Sequence, residues 1–69
     1  MRQTDAAELE TMVRTLREPY GRAAAMNLLD GLPVAAIAQK LGRPAPTVQN
    51  QLFRAKAILR KQIMERRQE

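Results

Sequence analysis

A chain of 69 residues, 45% apolar but with Tyr20 and Phe53 as its two aromatics, makes one small domain with an aliphatic core. Cysteine and histidine are absent, which excludes a disulfide framework and a Cys/His zinc site. The net charge of +5 lies in the last third: Arg2, Arg14, Arg17, Arg22 and Lys40 balance Asp5, Glu8, Glu10, Glu18 and Asp30. Beyond them Arg43, Arg54, Lys56, Arg60, Lys61, Arg66 and Arg67 face only Glu65 and Glu69. Such asymmetry points to a polyanion partner, nucleic acid first, or else to a solvated Arg/Lys helix face. No apolar run approaches the roughly 20 residues of a membrane helix, and no signal segment opens the chain. With cysteine absent, the expectation is a cytoplasmic protein.

The predicted elements follow in order. Asp5 and Glu8 have the spacing of a capping box. Leu9, Met12, Val13 and Leu16 then recur at i, i+3, i+4 and i+7, which predicts a helix over 5–16. Pro19 starts a second helix, 19–29, because proline is tolerated in a first turn. Asp30-Gly31 ends it, with Gly31 suited to a left-handed cap. Pro33 opens a third helix, 33–41, striped by Ile37, Ala38 and Leu41 and stopped at Gly42. Arg43-Pro44-Ala45-Pro46 reads as a turn, since two such close prolines do not fit a helix interior. The fourth helix, 46–66, carries the seam Val48, Leu52, Ala55, Leu59 and Ile63. No strand alternation is present. The expected class is all-α: a compact four-helix domain over 1–69. Its core is expected from Leu9, Met12, Val13, Leu16, Leu28, Ile37, Ala38, Leu41, Val48, Leu52, Ala55 and Leu59.

A short helix, a glycine-containing turn and a longer basic helix make a C-terminal helix-turn-helix. The third helix would brace the fourth through Ile37, Ala38 and Leu41 against Val48 and Leu52. The fourth would present the start of its outer face to a major groove. An ordinary helical hairpin has the same outline; the tight spacing and one-sided charge favour DNA.

Gly31-Leu32, Ile37-Ala38, Leu41-Gly42, Pro44, Thr47-Val48 and Arg54-Ala55-Lys56 together resemble region 4 of the sigma-70 superfamily, most closely its extracytoplasmic-function group. Leu16, Pro19 and Tyr20 match the family's approach to its second helix, so the likeness covers residues 5–66. The resemblance implies a role in transcription initiation. Region 4 binds double-stranded promoter DNA at the upstream, minus-35, element through its last helix. It docks on the beta flap of core RNA polymerase, and in many members an anti-sigma factor covers it. It implies a place in the bacterial cytoplasm at the nucleoid. The chain departs from the family at Ala36, usually glutamate, at Gly21, commonly arginine, and at Gln49-Asn50-Gln51, often Lys-Ser-Arg.

Gln49 and Asn50 are candidates for base contact, because an amide can bond two edges of adenine; otherwise they are neutral solvent-facing residues. Arg54, one turn past Asn50, is a candidate for a phosphate or a base edge. Lys56, Arg60 and Lys61 would attract the backbone without reading sequence. Thr47 would bond a phosphate or free backbone groups of the first turn. Arg43 is a candidate phosphate clamp. Phe53 points away from the seam and would touch a thymine methyl or pack on a partner with Met64. In the other reading the seam is rotated and Phe53 is partly core.

Nothing supports catalysis: serine is absent, and Thr4, Thr11 and Thr47 have no suitable adjacent base. The expectation is no enzyme, cofactor or metal. Three functions compete: a sigma region 4, a stand-alone helix-turn-helix regulator, and a sigma-like module that binds an anti-sigma factor or polymerase without touching DNA.

Overall fold

The computed structural model describes residues 6–67, with side chains described through residue 65. It is all-α: α1 (Ala6–Arg14), α2 (Tyr20–Ala24) running on into a π-helical segment (Ala25–Leu29), α3 (Val34–Leu41) and α4 (Ala45–Arg67). No strand occurs among the described residues. The Asp5 half of the expected capping box lies outside them. Glu8 sits in the first turn of α1, where a negative charge meets the positive end of the helix dipole.

Three prolines each stand immediately before a helix: Pro19 before α2, Pro33 before α3 and Pro44 before α4. Proline lacks an N–H, and the first N–H groups of a helix have no intrahelical partner, so nothing is lost there. Its carbonyl still serves: Ile37 N–H donates to Pro33 O and Val48 N–H to Pro44 O, both at 3.1 Å. The helices at 19, 33 and 46 therefore begin at Tyr20, Val34 and Ala45 instead. Left-handed glycines end the elements, Gly31 at φ 73° and Gly42 at φ 65°, a backbone region glycine enters without steric cost. Gly42 and Arg43 both donate their amides to Ala38 O, closing α3.

α1 stops at Arg14, two residues before the expected end. Thr15 explains it. Its hydroxyl donates to Met12 O at 2.7 Å and offers the backbone an alternative to the helical ladder. Leu16 N–H then bonds Val13 O at 3.1 Å, the tighter three-residue pattern of a fraying end. The second helix also departs from the 3.6-residue period. Asp30 N–H reaches Ala25 O at 3.1 Å, five residues back, and Asn27 Nδ2 donates to Leu32 O at 2.9 Å to hold the exit.

Two apolar clusters flank α2. Met12, Val13, Ala24, Ala55 and Leu59 form one, with Leu9, Leu16, Tyr20, Leu28 and Ile63 packed against it. Ala23, Ile37, Val48 and Leu52 form the other, rimmed by Met26, Leu32, Val34, Ala38 and Leu41. Ala23 and Ala24 are fully buried and look into different clusters. Their small side chains let α1, α3 and α4 close on α2. The expected core is corrected accordingly: Leu9, Leu16, Leu28, Ala38 and Leu41 are half-buried rim, and the two alanines take central places. Gly21 is buried as well, and a Cβ there would lie 2.6 Å from Leu16 O. The backbone of the α1–α2 connection occupies the space that a side chain would need.

Candidate nucleic-acid interface

The α3–α4 pair is built from the inside out. Ile37 on α3 and Val48 and Leu52 on α4 are buried in one cluster with Ala23. Ala55 and Leu59 carry the same α4 seam into the other cluster. With that seam inward, helical geometry turns Asn50, Arg54, Ala57 and Lys61, spaced i, i+4, i+7 and i+11, to the opposite side. All four are exposed. Gln49, Lys56 and Arg60 form a second exposed stripe on the neighbouring flank. Thr47 is exposed in the first turn.

Asn50, Phe53 and Arg54 meet with Ala57, Ile58 and Tyr20 around one shallow depression of about 350 Å³. Three sequence candidates thus converge, and Tyr20, which reaches them from α2, was not among those candidates. Its signal was weak, since tyrosine at a helix start is ordinary. Phe53 is 74% exposed, which removes the reading that places it partly in the core. Met64, 56% exposed, lies farther along beside Ala57, Arg60, Lys61 and Glu65.

The cations differ in what surrounds them. Arg14 pairs with Glu10 at 2.8 Å and Arg22 with Glu18 at 3.9 Å, both in the electrically balanced part of the chain. Arg54, Lys56, Arg60 and Lys61 are exposed and have no acidic partner among the described residues. An approaching phosphate would find them uncompensated. Arg43 is otherwise. It is half-buried, and its Nη1 donates to Pro19 O at 3.3 Å and to Gln51 Oε1 at 2.8 Å. The expected phosphate clamp is turned at least partly inward, and Gln51 is half-buried beside it.

No cluster of acidic side chains suited to a metal occurs among the described residues, and none of their helices is long and apolar enough to cross a membrane. No curated protein and no solved structure gave a significant match to the chain. The family model described as "Sigma-70, region 4" matches residues 6–59, from the start of α1 through the buried seam of α4. The chain belongs to the sigma-70 region 4 family and is a DNA-binding module of the promoter-recognition kind.

Proposed function

We propose that this chain reads the upstream, minus-35, promoter element with the outer face of α4, as a member of the extracytoplasmic-function group. It does so in the cytoplasm, at the nucleoid, while docked on the beta flap of RNA polymerase. The observation that carries the reading is the Asn50–Arg54 pair. The two side chains stand one turn apart, exposed and opposite the buried seam, on a basic helix. With the helix in a major groove, the base edges would meet this surface. Asn50 and Gln49 suit adenine; Arg54 suits guanine or a phosphate. Lys56, Arg60 and Lys61 supply attraction to the backbone, and Thr47 a first-turn phosphate contact.

The test is selection from random duplex DNA with the 69-residue chain, alone and with polymerase core. An enriched motif with A·T-rich steps under the first turns of α4 is the expected result. A pool with no enrichment in either setting would refute promoter reading.

A second reading is favoured by a specific observation, the exposure of Phe53 and Met64 along one side of α4. On that reading amides stand at Gln49-Asn50-Gln51 in place of the family's basic residues because the surface meets a protein, polymerase or an anti-sigma factor, and not DNA. A flap pulldown beside a promoter gel shift separates them: region 4 gives both signals, a lone regulator DNA only, and the mimic protein only.

A further inference from the structure

The α3–α4 seam is apolar, and apolar contact is non-directional. Val48 and Leu52 against Ile37 hold α4 close and set which face turns outward, but leave its fine rotation to other restraints. A hydrogen bond is directional, and one residue supplies directional bonds across this junction. Arg43 sits in the α3–α4 turn. Its Nη1 carries two N–H groups, and it donates to Pro19 O, just before α2, and to Gln51 Oε1, in the second turn of α4. Three pieces of chain are joined at one nitrogen. Gln51 follows Asn50 directly. Any rotation of α4 that moves Asn50 and Arg54 therefore also moves Gln51 Oε1 off its donor.

We propose that Arg43 is a positioning residue and not a phosphate clamp. It fixes the rotation of α4 against α2 and so aims Asn50 and Arg54, and Gln51 is occupied by this tie and reads no base. The proposal rests on the reading of α4 as the DNA-reading helix. Lysine would be a poor substitute, because it has the charge without the planar fork.

The experiment compares the 69-residue chain with Arg43→Lys, Arg43→Ala, Gln51→Leu and the double variant Arg43→Ala/Gln51→Leu. Melting temperature is measured for each. Binding is measured to the duplex recovered by selection and to a scrambled duplex, across a salt series. Gln51→Leu keeps every positive charge, so the salt slope should stay at the wild-type value. Preference for the selected duplex should fall about 5-fold or more, the low end of what one two-pronged base contact supplies. Arg43→Lys should show the same loss. The double variant should melt no lower than Arg43→Ala alone, because the second change removes a bond already broken. Three results would overturn the proposal. One is Gln51→Leu with unchanged preference. Another is Arg43→Lys behaving as wild type while Arg43→Ala lowers the salt slope by about 0.9, the signature of one lost phosphate contact. The third is additive losses of melting temperature. A wild-type chain that binds no duplex removes the DNA reading and the aiming role with it. The melting temperatures would still report whether the tie exists.

Discussion

The uncompensated cations of α4 make a quantitative prediction about salt. Arg54, Lys56, Arg60 and Lys61 are exposed and have no acidic partner among the described residues, so each is available to a phosphate without first leaving an ion pair. Every phosphate neutralised on B-DNA releases condensed counterions, with a slope of about −0.9 in log K against log salt. If all four residues engage, the slope is roughly −3.6. Raising salt from about 50 to about 200 mM should then weaken binding on the order of 100-fold. Fluorescence anisotropy with a labelled duplex reads this directly. Lys61→Gln should lower the slope by about 0.9 for selected and scrambled duplexes alike, because a phosphate carries no sequence. Its effect on folding should stay within about 0.5 kcal/mol, as for other exposed positions without special contacts. A slope shallower than about −1 would refute the reasoning and leave the basic face as solvated surface.

Three further outcomes can be measured. Leu52, 4% exposed between Ile37 and Val48, should cost about 2–5 kcal/mol when cut to alanine; denaturant melts giving less than about 1 kcal/mol would remove it from the seam. Gly21→Ala should destabilise by about 1–3 kcal/mol, since its Cβ would meet Leu16 O at 2.6 Å, and a neutral or stabilising change would show that the α1–α2 connection yields. Asn50→Ala should weaken binding to the selected duplex by about 1–3 kcal/mol and leave scrambled DNA nearly untouched. Alanine is the better helix former at that exposed site, so a loss there cannot be assigned to unfolding, and equal binding by the variant counts against base reading.

The parts of this fold that were legible in sequence are those with a chemical reason to occupy one place. Proline before a helix and glycine after one follow from a missing N–H and a missing Cβ, and they bracket α2, α3 and α4 to within a residue at their starts. Val48, Leu52, Ala55 and Leu59 are all buried, because four large or small apolar residues at helical spacing on a charged helix have one face to share. The π-helical segment was not legible: a test for a 3.6-residue period assumes the geometry that Ala25–Leu29 abandons. Ala23 and Ala24 escaped for a different reason. Alanine announces neither core nor surface, and only the meeting of three helices on α2 shows that smallness is what the position requires. Gly21 belongs with them. Where the family commonly carries arginine, this chain has a carbonyl in the way. Phe53 could not be placed from periodicity alone, since its spacing fitted two rotations of the seam; its exposure decides the matter. The bond between Arg43 and Gln51 had no sequence signal, because a tie across a turn depends on how the helices cross.

On the proposed reading, α4 does two jobs at once within one small domain. A domain of this size buries little apolar area, so nearly every turn of its longest helix has to contribute to the core. Val48, Leu52, Ala55 and Leu59 do so through both clusters. The reading face has to be the opposite side of the same turns. The buried seam sets which face of α4 turns outward, and base contact needs that rotation held more finely than the seam alone requires. A helix shared in this way gains from a directional restraint near the start of its reading face, and the Arg43–Gln51 bond lies there. The departure from Lys-Ser-Arg to Gln49-Asn50-Gln51 then acquires a physical division. Gln51 faces the tie, Gln49 and Asn50 face outward, and the positive charge for the backbone is left to Arg54 and beyond. Exchanging Gln49 and Asn50 for lysine and serine would accordingly raise affinity for all duplexes and steepen the salt slope. Putting arginine at Gln51 would set two guanidinium groups against each other at the turn.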